Sequence, residues 1–242
     1  MKHYPPIGEV EGKKEQVEAM FDAIAPRYDL LNRVLSFGID RQWRRKAVAM
    51  LGPEQPQRIL DVATGTADLA IEALRLDPKK VIGIDISEAM LRRGREKIEQ
   101  LGMSDRIVLQ RGDAERLPFS DNQFHAALVA FGIRNFQDLN QGLAEIRRVL
   151  RPGGTLVVLE FSKPRVFPVK QVYAFYARYI LPRIGQAVSK HDGAYRYLPE
   201  SVAAFPDGEA LLDRLRQAGY TEVSCHPLTF GIASLYKAKV SS

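Results

Sequence analysis

Apolar positions recur along this chain with two periods that take turns. Over the first fifty residues the spacing is helical: Val17, Met20, Phe21 and Ile24 share one face, and Pro26 ends the run. Tyr28-Asp-Leu-Leu-Asn32 and Val34-Leu-Ser-Phe-Gly38 predict a second helical element closed by Gly38. Asp40 is the expected cap of a third, which carries Trp43 and Val48 and stops near Gly52-Pro53. Short apolar, partly β-branched runs then predict strands over 58–62, 81–84, 107–110, 124–131 and 155–160. Between them lie helices over 68–76 with Asp68 as N-cap and over 87–101 with Ser87 as N-cap. A third intervening helix carries the stripe Leu139, Leu143, Ile146 and Leu150, and Arg151-Pro-Gly-Gly154 is expected to stop it. A helix over 209–218 precedes two strands, 221–228 and 232–240, expected as an antiparallel pair closing the sheet.

Alternating strand and helix units imply an α/β fold, a Rossmann-like doubly wound sheet of about seven strands, mostly parallel with an antiparallel C-terminal strand. One domain is expected over 1–242. Residues 1–13 read as a flexible lead-in, and 14–52 as a helical lid over the strand tips. Residues 164–205 break the rhythm with a crowd of aromatics, among them Phe167, Tyr173, Phe175, Tyr176 and Tyr179. Two readings of these stay open: a groove for an apolar tail, or core contacts of an extra helix.

Composition narrows the setting. Lys and Arg number 35 against 29 Asp and Glu, a formal charge of +6, which suits an anionic surface or no special partner. The densest basic stretch, Arg41-Gln-Trp-Arg-Arg-Lys46, reads as a solvated helix face. The single cysteine, Cys225, permits no internal disulfide and points to a reducing, cytoplasmic setting. No apolar run reaches the ~18 residues of a bilayer span, and the first residues lack a signal-peptide core. The four histidines, at 3, 125, 191 and 226, have no metal-ligand spacing, so no metal is expected.

The candidate chemistry gathers at Asp61-Val-Ala-Thr-Gly-Thr-Ala-Asp68, after the first strand. A strand that runs into small residues and then a helix makes a tight turn whose backbone a ligand can approach closely. The dinucleotide fingerprint needs three spaced glycines, and here Gly65 stands alone. Asp85 ends the second strand, where an acid accepts hydrogen bonds from ribose hydroxyls, of NAD or equally of S-adenosylmethionine. Asp61 would repel a pyrophosphate and suits a cationic amino-acid moiety, which favours the sulfonium donor. An ordinary strand-turn-helix without ligand is the plain alternative.

With these segments placed, the chain resembles the class I S-adenosylmethionine-dependent methyltransferases, and more narrowly the ubiquinone/menaquinone-biosynthesis C-methyltransferase family. The resemblance rests on Tyr28-Asp-Leu-Leu-Asn32, Arg41-Gln-Trp43, the 61–68 loop, Phe131-Gly-Ile-Arg-Asn135, Arg148-Val-Leu-Arg-Pro-Gly-Gly154, Leu159-Glu-Phe-Ser162, Tyr195-Arg-Tyr-Leu198 and Leu228-Thr-Phe-Gly-Ile232. The Phe-Gly-Ile-Arg-Asn and Leu-Glu-Phe-Ser stretches are the specific ones. The resemblance implies methylation of a ring carbon on a prenylated quinol, demethylmenaquinol first, with a ubiquinone-pathway benzoquinol as the alternative. It implies donor contacts at Thr66, Asp85, Asp113 and Ala114; with Asp61 and Gly65 of the loop, and Ala130 at the end of the fourth strand, these make up the expected donor site. The family often has a serine where Ala130 stands, and glycines at Thr64 and Ala67.

An aromatic carbon becomes a nucleophile once the adjacent hydroxyl loses its proton. The site must then stabilise a phenolate and hold methyl and carbon at about 3–3.5 Å. Arg134 is expected to stabilise that phenolate and orient a water that takes the proton, since arginine is itself a poor base. Asn135 and Tyr28 are expected on the quinol oxygens, and Asp113 on the adenine amino group. A long-tailed substrate implies peripheral contact with the inner face of the membrane, and nothing in the chain speaks against a homo-oligomer. Three rival readings stand beside this one. A nucleic-acid methyltransferase is disfavoured, because the chain has no Asn/Asp-Pro-Pro-Tyr motif and Cys225 lies in a late strand. A donor-binding scaffold is disfavoured by Asp61, Asp85 and Arg134 together. A methyltransferase for another small apolar substrate is the serious competitor.

Overall fold

The computed structural model describes residues 12–36, 38–180 and 192–241. Seven strands build one sheet: β1 (Arg58–Val62), β2 (Lys80–Asp85), β3 (Ile107–Arg111), β4 (Phe124–Ala130), β5 (Leu150–Phe161), β6 (Tyr220–Leu228) and β7 (Ala233–Val240). Their order is β3-β2-β1-β4-β5-β7-β6. β1 pairs in parallel with β2 and β4, β2 with β3, and β4 with β5. β7 runs antiparallel to both β5 and β6, as the sequence pattern predicts.

The helices are α1 (Lys13–Ile24), α2 (Tyr28–Leu35), α3 (Ile39–Ala49), α4 (Asp68–Ala73), α5 (Glu88–Gln100), α6 (Leu139–Val149), α7 (Val169–Phe175), α8 (Asp192–Ala204) and α9 (Glu209–Gln217). The central strands are apolar throughout because helices cover both sides of them. One face packs Leu60, Val62, Ile84 and Leu156 against Leu143 and Ile146 of α6 and Leu211 and Leu215 of α9. The other packs Ile59, Val81, Leu128 and Val157 against Trp43 and Ala47 of α3 and Leu91 of α5. The chain order reverses between β1 and β4, so loops diverge there and leave a crevice at the carboxyl ends of the strands.

Several boundaries differ from the sequence expectations. Asp68 is the first residue of α4 and not its cap; Ala67 precedes it in the left-handed region, at φ 68°. The Asp68 carboxylate instead meets Lys97 at 2.7 Å. Gly38 occupies the cap position of α3, and Asp40 accepts from Ser36 Oγ at 2.6 Å inside the first turn. Ser87 does cap α5, accepting from the Met90 amide. Arg151-Pro-Gly-Gly154 lies within β5, as an irregularity between the Phe124–Leu150 and Ala126–Thr155 pairs. β4 stops at Ala130, because Phe131 turns into the left-handed region at φ 58°. Lys13 is no lead-in: it opens α1, and its buried ammonium donates to the carbonyls of Arg134 and Phe136 at 3.0 and 2.7 Å. Residues 1–11 lie outside the described residues.

Candidate active site

The crevice at the strand tips is narrow, about 70 Å³, and four loops make its walls. Ala63 and Gly65 come after β1, Asp85 from the end of β2, Asp113 and Ala114 after β3, and Ala130 and Gly132 from the end of β4. Val17 and Phe21 of α1 and Tyr28 of α2 close it from above. The turn after β1 is tight because its backbone is contorted: Ala63 has φ 54° and Gly65 has φ 55°. A Cβ on Gly65 would meet only Tyr28 Cε1, at 3.9 Å, so the glycine is there for its backbone conformation. At Gly132 the reason is closeness: a Cβ would lie 2.4 Å from that of Ala63.

Asp85 organises this turn. Its carboxylate accepts from the Gly65 amide at 2.8 Å and from the Ser87 amide at 2.9 Å. Burial raises its pKa to about 6, against the lowering effect of those amides. Asp61 lies deeper. One oxygen accepts from Thr64 Oγ1 at 2.6 Å, while the other, Oδ1, is buried with no hydrogen-bond partner. Burial lifts this carboxyl to about 7, tempered by Thr64, by the backbone of Ala70 and by Arg44. A buried acceptor without a donor is costly, of order 1–3 kcal/mol, and marks a place where a donor group belongs. Asp61 shares a small polar hollow of about 20 Å³ with Arg44, Gly65, Thr66 and Ala130.

A second cavity of about 490 Å³ adjoins the crevice and shares Phe21, Tyr28 and Phe131 with it. Its lining is chiefly apolar, with Met20, Ile24, Trp43, Phe161, Val172 and Tyr173 prominent. Arg134, in the turn after β4, reaches this cavity. Its Nη1 donates to Glu160 Oε1 at 2.8 Å and to the Phe131 carbonyl at 2.5 Å, and its Nε to Ser201 Oγ at 3.3 Å. Glu160, one residue before the end of β5, is fully buried. Burial pushes its carboxyl up, and the neighbouring Arg134 pulls it back.

The sequence-predicted residues thus divide. Gly65, Asp85, Asp113, Ala114 and Ala130 line the crevice, and Asp61 stands just behind it. Thr66 also faces the small hollow, but its hydroxyl donates to Asp29 at 2.5 Å. Asp113 is engaged from both sides, by Lys14 Nζ at 2.5 Å and by the Glu115 amide at 2.9 Å. Arg134 and Tyr28 line the large cavity, whereas Asn135 lines the crevice, its Oδ1 accepting from Tyr197 Oη at 3.1 Å. Burial raises that tyrosine to about 12 and Arg134 draws it down, so it stays a donor. Among the aromatics of 164–205, Tyr173 and Tyr176 line the large cavity, while Phe175, Tyr179 and Phe167 are exposed. Residues 181–191 lie outside the described residues.

Three residues of the site escaped the sequence reading. Arg44 was grouped with a solvated basic face, yet it is buried beside Asp40 and lines the large cavity. The signal was available: Asp40 and Arg44 stand four apart on the helix that carries Trp43. Glu160 interrupts an otherwise apolar strand, which flags a buried charge. Tyr197 stands in the Tyr195-Arg-Tyr-Leu198 stretch, but nothing in that stretch gives it a role.

A sheet of this order, with β7 reversed and an acid at the tip of β2, defines the class I methyltransferase fold. A solved S-adenosylmethionine-dependent methyltransferase from Thermotoga maritima superposes with a TM-score of 0.63 at 22% identity, covering 92% of this chain and 98% of its own. The [4+2]-cyclase SpnF does so at 0.60 and 19%, covering 99% of each, so the fold alone leaves the chemistry open. The sequence model of the ubiE/COQ5 methyltransferase family matches residues 9–239, and the chain belongs to that family. A demethylmenaquinone methyltransferase of Bacteroides fragilis is 52% identical, over 94% of both chains. One from Deinococcus radiodurans is 49% identical, over 96% of this chain and 95% of its own. A ubiquinone/menaquinone biosynthesis C-methyltransferase of Geobacter sulfurreducens is 46% identical, over 93% and 88%.

Proposed function

We propose that this protein transfers a methyl group to a ring carbon of a prenylated quinol, with S-adenosylmethionine as donor and demethylmenaquinol as the first substrate. The observation that carries this reading is the junction of a narrow, acid-bearing crevice with a much larger cavity. The crevice at the strand tips, with Asp85 and Asp113 in its walls, opens beside a chiefly apolar cavity of about 490 Å³, and Phe21, Tyr28 and Phe131 belong to both. A chamber of this size suits a bicyclic ring and the start of its tail.

The residues fit the donor. Asp85 suits a ribose, and the partnerless Oδ1 of Asp61 suits a cationic amino group. Ala63 and Gly65 let the backbone approach, and Asp113 with Ala114 suits the adenine once Lys14 yields Asp113. When bound, the donor supplies an electrophilic methyl on a positively charged sulfur. The chain's own work is on the acceptor. Arg134 stabilises the oxygen anion that makes the adjacent ring carbon nucleophilic, and the leaving proton goes to a water held at its guanidinium. Once the carbon–carbon bond forms, that ring carbon sheds its hydrogen as a proton and aromaticity returns. Tyr28 donates to a quinol oxygen. Asn135, with its Oδ1 held by Tyr197, keeps its amide N–H groups for the donor side. α1 to α3 act as the lid, and Lys13, Lys14 and Asp22 are its ties, the last accepting from Ser87 Oγ at 2.6 Å.

The tail leaves the cavity past α7. Phe167 and Phe230 are 78% and 73% exposed, Val172, Phe175 and Tyr179 are exposed too, and Lys163, Arg165 and Lys170 belong to the same stretch of chain as α7. Such an apolar, basic rim suits peripheral contact with an anionic bilayer at its cytoplasmic face. No helix among the described residues is long and apolar enough to cross a membrane. Incubation with labelled donor and a panel of reduced and oxidised naphthoquinones and benzoquinones, read by mass spectrometry, tests the reading. Label on the ring carbon of reduced demethylmenaquinone supports it; label on none of the panel ends it.

A further inference from the structure

Phe131 and Phe161 form an aromatic floor in the large cavity, their ring centroids 4.6 Å apart and tilted by 33°. Trp43 abuts both, at 6.1 and 6.2 Å. One guanidinium stands over each ring: Arg134 is 5.6 Å from the centroid of Phe161, and Arg44 is 5.7 Å from that of Phe131. The two arginines are built alike. Each is held through Nη1 by a buried carboxylate, Arg134 by Glu160 and Arg44 by Asp40, and Arg44 Nη1 also has Asp68 at 3.8 Å. Their side chains are 7% and 8% exposed, and both line the one cavity. Among the described residues, Nη2 of neither has a hydrogen-bond partner. The reaction as described uses only Arg134. A second guanidinium in a mostly apolar chamber, with one N–H edge free, is an unassigned binding group.

We infer that Arg44 is a specificity-determining residue that donates to the second ring oxygen of the substrate, the one across the ring from the oxygen stabilised by Arg134. The inference rests on the quinol reading above. A flat ring on the Phe131–Phe161 floor would present its two para oxygens toward the two guanidinium groups. Asp40 and Glu160 keep each fork oriented and balance its charge, so a neutral diol can enter without leaving a charge uncompensated. A substrate with one hydroxyl leaves Arg44 without its acceptor. Sites that hydrogen-bond a particular substrate hydroxyl discriminate strongly against analogues lacking it. The opposing assignment is that Arg44, which also borders the hollow of Asp61, binds the donor's carboxylate.

The test compares kcat/KM for the reduced naphthoquinol with that for the matching naphthol that lacks the distal hydroxyl, in wild type, Arg44→Met and Arg44→Lys. Donor Kd is measured alongside by calorimetry. The expected result is a preference for the diol that falls at least tenfold in Arg44→Met. It falls less in Arg44→Lys, which keeps the Asp40 pair but loses the fork, and donor Kd changes less than threefold in both. An unchanged preference in folded variants overturns the inference. So does a tenfold rise in donor Kd with the diol preference intact. Should neither variant fold, wild type decides: equal kcat/KM for diol and naphthol overturns it, and a large preference supports it. Failure of the quinol reading itself looks different, since wild type then methylates neither compound.

Discussion

Arg134 and Glu160 form a buried ion pair, and a cycle of substitutions separates its structural from its chemical role. The two side chains are 7% and 0% exposed, so water replaces neither partner. Glu160→Leu strands a guanidinium that has no way to neutralise itself. Breaking a buried pair from one side costs about 3–5 kcal/mol. For a chain of this length each kcal/mol lowers Tm by roughly 2–4 °C, so the fall should be about 6–20 °C. Arg134→Met should cost less at pH 6 than at pH 8. Burial already pushes the Glu160 carboxyl up and Arg134 alone restrains it most, so without the arginine it takes a proton. The double variant Arg134→Met/Glu160→Leu removes both charges and should melt within about 2 kcal/mol of wild type, because apolar replacement of a buried pair is often neutral. Turnover should not follow stability. Loss of one donor to a developing oxyanion slows kcat by roughly 10²–10³. The double variant should therefore fold, bind donor normally by calorimetry, and stay slow. Near wild-type kcat in a stable double variant would reduce Arg134 to a structural salt bridge, and a Glu160→Leu variant that melts with wild type would refute the burial argument.

Four further outcomes are expected. Asp85→Asn should weaken donor binding by about 1–3 kcal/mol, roughly 5- to 150-fold, in a calorimetric titration. Asp61 and Asp85 titrate near 7 and 6 in the folded chain, above their ordinary 3.8. The folded state therefore binds more protons than the unfolded chain between about pH 4 and 7, and the contribution of these two groups to stability falls as pH rises through that window. Donor binding favours the ionised forms, so the donor-induced rise in Tm should grow from pH 5.5 to pH 8; a flat response would contradict this. Gly132→Ala, whose Cβ would sit 2.4 Å from that of Ala63, should destabilise by about 1–3 kcal/mol in denaturant unfolding and lower activity with it. Phe167→Ser combined with Phe230→Ser should reduce flotation with anionic vesicles while turnover of a short-tailed quinol holds; unchanged flotation would locate membrane contact elsewhere.

The periodicity of this chain determined its architecture. Runs such as Ile59-Leu60 and Val81-Ile82, separated by capped amphipathic helices, admit few folds besides a parallel sheet covered on both sides, and a reversed β7 closes it. The tight turn after β1 and the acid at the tip of β2 were equally legible, because both are local properties of a strand end. Tertiary structure decided the rest, wherever the meaning of a residue depends on a distant partner. Arg44 looks like any solvated cation until α3 turns it inward against Asp40 and over Phe131. Asp113 looks like an open acceptor until Lys14 of α1 reaches it. Asn135 looks open to any ligand until α8 brings Tyr197 to its amide oxygen. Phe175 and Tyr179 share a segment with Tyr173 and Tyr176, but the helical winding of 169–180 sends the first pair to the surface and the second into the cavity. Periodicity records which face of an element is buried; it carries no record of which other element, many residues away, buries it.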